Sequence, residues 1–233
     1  MGRTELTAAL RALYADTAFA PRSWTDRADA AFIAIHLIER SIAALAPRLS
    51  GEVLDAGCGR QPYRDYFPHA ARVVGCDRVS DRGTPDLIGT ADAIPAPDSS
   101  FDSILCTEVL EHVPDPLAVW REFHRVLRPG GRVLLTTPAY WPPHEQPHDY
   151  YRYTEHGLLH LATTAGFAVE ELWPRGGMWA FLGQAAMHVC GHYLPFRPMR
   201  SGWNRMWLRI DRARLNPMIT LGWTILAVKA PAA

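Results

Sequence analysis

Two glycines and one acidic residue carry the strongest chemical signal in the sequence. Gly57 and Gly59 follow an apolar run at residues 53–56, and Asp77 ends the next apolar run along the chain. A glycine turn at the end of a strand lets the backbone approach a ligand, and an acid after the following strand can accept both hydroxyls of a ribose. This order of strand, glycine turn, strand and acid is typical of a nucleoside-binding site.

The glycine turn differs from the phosphate-binding turn of dinucleotide folds. Position 62 is proline and no third glycine follows Gly59, so the pattern G-x-G-x-x-G is absent. An NAD-dependent oxidoreductase on a related fold is therefore an alternative that the sequence disfavours.

A second candidate cluster has the spacing E-x-x-E-H. It consists of Glu108, Glu111 and His112, which share one face if the turn is helical. Carboxylates and an imidazole suit a hard divalent ion such as Mg²⁺, and His148 is a candidate further ligand. In the alternative, which we favour, these side chains shape the pocket without a metal.

Residues 144–148 spell His-Glu-Gln-Pro-His, the letters of the zinc-protease pattern H-E-x-x-H. That metal site requires a helix, which Pro147 and two earlier prolines oppose. A long loop at residues 139–153 is the better interpretation, and long loops at strand ends often carry function. Its residues either pack the loop or line an acceptor pocket, the candidates being His144, Glu145, His148 and Tyr151.

Short apolar runs that alternate with helical stretches predict the elements that position these residues. The runs cover residues 53–56, 72–76, 86–89, 101–106 and 132–137. Residues 115–127 have the periodicity of a crossover helix, which Pro-Gly-Gly at 129–131 should end. The alternation predicts an α/β fold with a doubly wound, mostly parallel sheet.

The remaining segments complete this prediction. Helices are expected over residues 4–19, 25–46 and 154–165, and final strands over 167–173 and 219–228 flank an irregular segment. The length of 233 residues favours a single domain. We expect a helical cap at 1–49, a ligand-binding core at 50–173, a lid or interfacial segment at 174–218, and a last strand at 219–229.

These motifs together resemble the class I S-adenosylmethionine (SAM)-dependent methyltransferases, in the branch that covers small-molecule and glycan acceptors. The first motif reads VLDAGCG, and matches follow in order at Asp77 and at residues 89–95, 101–106 and 127–131. The resemblance implies a seven-stranded Rossmann-like sheet and SAM as the cofactor. It also implies transfer of a methyl group to a hydroxyl or a similar nucleophile of a small molecule.

The same resemblance implies roles for individual residues. Asp55, Gly57 and Gly59 would line the methionine moiety, and Asp77 would hold the ribose. Asp92 and the backbone N–H of Ala93 would meet the adenine. Neighbouring residues complete the expected cofactor site: Cys58, Arg78, Thr107 and Glu108.

A hydroxyl acceptor must lose its proton, so a base is expected within hydrogen-bond reach. The candidates are His112, His148 and Glu111. The HDYYRYT segment at 148–154 resembles that of methyltransferases linked with surface polysaccharide, which suggests a sugar or another specialised metabolite as acceptor. A SAM-binding regulatory or assembly protein without catalysis is the alternative from another class.

The amino-acid composition limits the kinds of partner that the protein can attract. Lys plus Arg equals Asp plus Glu at 24 each, so no basic field attracts a nucleic acid. The N-terminus lacks the pattern of a secretory signal, and the four cysteines share no close spacing, so we expect a cytoplasmic protein with reduced thiols.

Residues 176–196 contain no charged side chain and are bounded by Arg175 and Arg197. The stretch approaches the length of a membrane span, but its histidines, glutamine and glycines oppose spanning. We expect an acceptor-binding lid. An interfacial helix that reaches a lipid-linked acceptor at the inner membrane face is the second interpretation.

Overall fold

A computed structural model describes residues 2–15, 26–78, 83–194 and 196–230. The strands are β1 (Ser50–Ala56), β2 (His69–Asp77), β3 (Leu87–Ile88), β4 (Phe101–Thr107), β5 (Leu127–Pro138), β6 (Phe167–Pro174) and β7 (Gly222–Lys229). The α-helices of the described residues are α1 (Arg3–Leu13), α2 (Phe32–Leu45), α3 (Pro116–Val126), α4 (Glu155–Thr164), α5 (Met178–Cys190) and α6 (Arg197–Ala213).

All seven strands form one mixed sheet in the order β3-β2-β1-β4-β5-β7-β6. The chain runs outward from β1 in both directions, and β1 pairs in parallel with β2 and with β4. Ala56 lies opposite both Cys76 and Cys106, so these three strands end at the same edge. The doubly wound α/β fold is therefore confirmed, and the loops after β1, β2 and β4 emerge together.

The central strands are apolar because both faces of the sheet are covered. Leu54, Ile104 and Leu134, in three neighbouring strands, are each 0% exposed. Continuous apolar runs of this kind are typical of parallel strands, whereas half-exposed strands alternate. This pattern made the strands predictable from sequence.

The crossover helix α3 begins at a capped end. The Asp115 carboxylate accepts the backbone N–H groups of Leu117 and Ala118 at 3.0 and 3.1 Å, which satisfies donors that have no partner within the helix. The predicted helix is present, but the expectation that Pro-Gly-Gly ends it is wrong. β5 already begins at Leu127 and continues through residues 129–131.

The structure divides the chain into two compact units. One comprises Met1–Ala44 and Trp173–Gly222, and the other comprises Leu45–Leu172 and Trp223–Ala233. Most of the predicted helical cap and all of segment 174–218 thus belong to the same unit. The second unit contains the carboxyl ends of β1, β2 and β4.

The prediction of an irregular segment between the last two strands is wrong, because it contains α5 and α6. The two helices approach closely at Gly183, where a Cβ atom would lie 2.4 Å from Cγ of Trp207. Asp211 on α6 caps α5 by accepting the N–H groups of Trp179 and Ala180 at 3.1 and 3.0 Å. Across the described residues, every helix is too short or too polar to cross a membrane.

The helices before β1 are shorter than predicted. α1 ends at Leu13, and residues 16–19 of the predicted first helix lie outside the described residues. α2 begins at Phe32, because turns occupy residues 27–31, and residue 25, where the predicted helix starts, lies outside the described residues.

Candidate active site

The glycine turn after β1 folds over the end of β2. The backbone N–H groups of Gly57 and Cys58 donate to the carbonyl oxygen of Cys76 at 2.8 and 3.2 Å. Gly57 has φ +74°, and a Cβ atom there would lie 2.2 Å from Cγ2 of Val109. Both the left-handed backbone and the close approach require glycine at this position.

The second glycine of the turn is tied to the acid at the end of β2. The Gly59 N–H donates to Oδ2 of Asp77 at 2.9 Å. A Cβ atom at Gly59 would meet nothing within 4 Å, so the backbone here borders open space. The Asp77 carboxylate therefore fixes the turn whose open side faces the neighbouring cavity.

A cavity of about 520 Å³ opens at this edge of the sheet. Its volume suits a ligand of nucleoside size together with a small second substrate. The lining residues come from the loops after β1, β2, β3 and β4 and from the loop after β5: Gly57, Gly59, Asp77, Arg78, Gly89, Thr90, Ala91, Asp92, Glu108, Val109, His112, Val113, Pro114, Glu145, His148 and Tyr150.

Two buried polar atoms near the carboxyl ends of β1 and β4 have no hydrogen-bond partner among the described residues. They are Oδ2 of Asp55, in β1, and Oγ1 of Thr107, at the end of β4. Burial, and then the charge of Asp77, raise the pKa of the Asp55 carboxyl to about 7. A cationic ligand group bound here would supply the missing partner and lower that pKa.

The predicted cofactor residues divide into two sets. Six of them line the cavity: Gly57, Gly59, Asp77, Arg78, Asp92 and Glu108. Asp55, Cys58, Ala93 and Thr107 do not line it. Burial raises the pKa of the Cys58 thiol to about 12, and the Ala93 N–H expected at the adenine donates instead to the carbonyl of Thr90 at 3.0 Å.

Sequence reasoning missed several lining residues. Gly89, Thr90 and Ala91 belong to the motif that contained Asp92, so the motif itself could have identified them. The others, Val109, Val113, Pro114 and Tyr150, reach the cavity through loop conformation, for which the sequence gives no signal.

The expectation that Glu108, Glu111 and His112 share a helical face is wrong. Glu108 has φ +52°, which interrupts any helix before the short 3₁₀ turn Leu110–His112. Its Oε1 accepts a hydrogen bond from Oγ1 of Thr136 at 2.8 Å, so the side chain points toward β5. Glu108 therefore does not join the other two residues in one cluster.

The structure instead brings His144 to Glu111 and His112. Candidate ligand atoms of these three residues all lie within 4.8 Å of one another. Nδ1 of His112 lies 2.7 Å from the backbone carbonyl oxygen of His148, which can only accept. In the neutral ring Nδ1 therefore carries the hydrogen, and Nε2 keeps its lone pair 3.8 Å from Oε1 of Glu111.

The loop after β5 fixes the second histidine. His144 donates its backbone N–H to Oδ2 of Asp149 at 3.0 Å, and its Nδ1 lies 3.5 Å from the same oxygen. Arg152 holds this carboxylate through both of its oxygens, at 2.6 and 2.9 Å, and keeps the pKa of Asp149 far below its usual range. One carboxylate and two oriented imidazoles are a donor set that fits a divalent transition metal.

His148 and Tyr151 lie outside this cluster. Nδ1 of His148 lies 3.1 Å from the Tyr150 hydroxyl, and both side chains line the cavity. The Tyr151 hydroxyl donates to the carbonyl of Pro114 at 2.7 Å. Tyr151 therefore supports a residue that lines the cavity but does not line the cavity itself. Residues 144–148 form no helix and Glu145 has φ +50°, so the histidine spacing of a zinc protease is not achieved.

A family model described as a methyltransferase domain matches residues 30–172, which is more than half of the chain. The match includes the glycine turn, Asp77 and the cluster of Glu111, His112 and His144. The chain belongs to the class I SAM-dependent methyltransferases. SAM is the cofactor of this family, as predicted.

Curated relatives agree with membership in this methyltransferase family. The ubiquinone biosynthesis O-methyltransferase of Paracidovorax citrulli is 36% identical over 115 residues, which are 41% of this chain and 47% of that protein. A Mycolicibacterium smegmatis protein named "Probable S-adenosylmethionine-dependent methyltransferase" is 34% identical over 146 residues, 54% of this chain and 56% of that protein. The chain spans about half the length of these curated relatives.

A solved structure shares the methyltransferase fold. The SAM-dependent methyltransferase of Mesorhizobium loti superimposes with a TM-score of 0.57 over 84% of this chain and 100% of that chain, at 17% identity. At this identity the likeness concerns the fold alone.

Proposed function

We propose that this methyltransferase transfers a methyl group from SAM to a hydroxyl, or a similar nucleophile, of a small molecule. The observation that carries the proposal is the imidazole of His112, which lines the cavity with Nδ1 held by the His148 carbonyl at 2.7 Å. An imidazole oriented in this way presents Nε2 as a base. A cofactor site alone would not require such a group.

The cofactor half of the cavity lies at the ends of β1 and β2. Gly57 and Gly59 let the backbone approach the ligand, Asp77 fixes the turn, and Asp55 provides a buried carboxylate oxygen that lacks a partner. Asp92 and Arg78 line the same cavity. When bound, SAM supplies a methyl group that is already electrophilic, so the protein acts mainly by orienting the acceptor and excluding water.

The acceptor half contains the base. Nε2 of His112 takes the proton that an acceptor hydroxyl must lose, and the Glu111 carboxylate 3.8 Å away stabilises the resulting imidazolium. His148, which fixes the tautomer of His112 through its carbonyl, acts as a positioning residue. Glu145 and Tyr150 border the space left for the acceptor.

The acceptor class follows from the lining of this half. Pro114, Val113 and Tyr150 offer apolar and aromatic contact, while Glu145 and His148 offer polar groups, a mixture that suits a hydroxylated ring. We propose a sugar, free or lipid-linked, or a hydroxylated specialised metabolite. The name of the P. citrulli relative supports O-methylation.

We propose that the reaction takes place in the cytoplasm. All four cysteines are free thiols, and three of them are buried. This state fits a reducing compartment.

The first test is calorimetric titration with SAM and S-adenosylhomocysteine, with NAD as the control ligand. We expect micromolar binding of both nucleosides and none of NAD, and a loss of binding in Asp77→Ala. The absence of binding to either nucleoside would falsify the assigned cofactor site.

The second test separates catalysis from cofactor binding. Transfer of labelled methyl groups from SAM is measured with a panel of sugars and phenols, for the wild type and for His112→Gln. We expect His112→Gln to lower kcat by about 100-fold or more while the Kd for SAM stays within about twofold. If the wild type binds SAM but methylates no member of the panel, the non-catalytic SAM-binding alternative is supported instead.

A further inference from the structure

The end of α5 and the start of α6 carry an exposed apolar surface. Val189, Tyr193, Phe196 and Met199 are 68%, 74%, 65% and 48% exposed, and we call these four residues the apolar corner. Four large apolar side chains within one short segment are unusual on a water-exposed surface, where such residues are normally scattered singly. The apolar corner is therefore a candidate contact surface.

A row of arginines follows on the outer face of α6. Arg205, Arg209 and Arg212 are exposed, and their spacing of four and three residues places them on one side of the helix. Met206, beside this row, is 43% exposed. A neighbouring side of the helix is held inward, because the buried amide of Asn204 donates to two backbone carbonyls at 3.0 Å each.

We propose that the apolar corner and the arginine row bind the face of a membrane that contains anionic phospholipid. The arginines match phosphate groups in charge and hydrogen-bonding geometry, and the apolar side chains need an apolar phase that phosphate alone does not offer. Aromatic side chains such as Tyr193 and Phe196 are typical of the boundary between headgroups and acyl chains. The helices lie on the surface, since neither of them is long and apolar enough to span it.

The charges of α6 disfavour a second copy of the chain as the occupant. A symmetric dimer would place the same surface patch on both sides of the contact, so the arginine rows of both copies would enter one contact and repel each other. An anionic lipid surface removes that repulsion. The chain as a whole carries no formal net charge, with 24 basic and 24 acidic residues, so the attraction is local to α6 and should weaken as salt screens it.

This inference is independent of the methyl acceptor. It concerns the surface of one compact unit, formed by Met1–Ala44 and Trp173–Gly222, whereas the residues that line the cavity belong to the other unit. Membrane contact can therefore be tested without any substrate.

The experiment is cosedimentation of the full chain with vesicles, measured against lipid concentration. Vesicles that mix phosphatidylglycerol with phosphatidylcholine are compared with vesicles of phosphatidylcholine alone, at low and at high salt. We expect binding to the anionic vesicles only, weakened by salt. Replacing the row by Arg205→Gln, Arg209→Gln and Arg212→Gln together should lower the binding constant on the order of 100-fold, since each basic residue near an anionic surface contributes about fivefold.

A matched variant controls for the change in net charge. Arg3, Arg72 and Arg121 are also exposed but lie on α1, β2 and α3, and their joint replacement by glutamine should leave binding within about threefold of the wild type. Circular dichroism and SAM titration verify that both triple variants are folded.

The apolar contribution has its own variant. Phe196→Ser combined with Met199→Ser should weaken binding to anionic vesicles even at low salt, because charge alone would then hold the protein. The proposal is overturned if the wild type does not sediment with anionic vesicles at low salt, or if the two triple variants bind equally. It is also overturned if the wild type does not bind vesicles and instead forms a dimer that the substitution Phe196→Ser dissociates.

Discussion

Replacement of Asp55 by asparagine should stabilise the ligand-free protein at neutral and alkaline pH. The carboxyl is 3% exposed, and burial together with the charge of Asp77 raises its pKa from 3.8 to about 7. The folded state then binds a proton more tightly than the unfolded state. Stability that is present below about pH 4 is therefore lost as the pH rises toward 7.

The pKa shift sets the size of the effect. A shift of about three units corresponds to about 4 kcal/mol of unfolding free energy at about pH 8, and to about 2 kcal/mol at about pH 5.5, where less of the penalty has developed. Asparagine has a similar shape and no charge to bury. Urea unfolding of wild type and Asp55→Asn at these two pH values should show a difference that roughly doubles from the lower to the higher pH.

Asp102→Asn is the matched control, because the pKa of Asp102 is lowered whereas that of Asp55 is raised. Its carboxylate accepts the Glu52 N–H at 2.8 Å and a hydrogen bond from Arg128, and these partners lower its pKa despite partial burial. Its stabilising contribution is present above the unfolded pKa and is lost as the pH falls. A difference in unfolding free energy between wild type and Asp55→Asn that is the same at both pH values would refute the raised pKa of Asp55.

Binding of SAM should stabilise the wild type and Asp55→Asn by different amounts. The cofactor carries positive charge, so its binding should favour ionised Asp55 and stabilise the wild type more than Asp55→Asn. The measurement is the shift in the urea midpoint at saturating SAM. An equal shift in both proteins would mean that Asp55 contributes nothing to cofactor binding.

Four further perturbations have defined outcomes. Gly57→Ala puts a Cβ atom on a left-handed backbone and against Val109, so it should lower the free energy of unfolding by about 2–5 kcal/mol in thermal unfolding and abolish SAM binding. Gly59→Ala has the left-handed backbone without the clash, so it should lower that free energy by only about 1 kcal/mol. Asp115→Ala removes the cap of α3 and should cost about 1 kcal/mol in urea unfolding without changing the Kd for SAM. Exhaustive EDTA treatment should leave methyl transfer unchanged; a loss that a divalent ion restores would instead assign a metal to the cluster of Glu111, His112 and His144.

The elements of the sheet were predictable because their sequence signal is local. Parallel strands buried on both faces give continuous apolar runs, and the cap at Asp115 precedes the apolar face of α3. The position of Gly57 and Gly59 beside the cavity was predictable for the same reason, since their turn follows directly from β1. The α5 and α6 helices were not, because α5 depends on contact between Gly183 and Trp207, which are far apart in sequence.

The residues proposed for acceptor binding and catalysis were only partly predictable. Spacing alone suggested that Glu108, Glu111 and His112 form a cluster with His148. The structure removes Glu108, which has a left-handed backbone, and His148 from that set, and it adds His144, which the Asp149 carboxylate holds. Loop conformations of this kind depend on hydrogen bonds between particular side chains and backbone groups. The periodicity of a sequence does not show which groups will pair.

One of the two compact units consists of Met1–Ala44 and Trp173–Gly222, two stretches that are far apart in sequence. Gln184 illustrates this, because its amide bonds the backbone of Ala30 and Ala34, about 150 positions earlier. During synthesis, α1 and the apolar α2 leave the ribosome long before their packing partners are made. Chaperone dependence and slow assembly are thus expected of this amino-terminal segment, since contacts of large sequence separation form late.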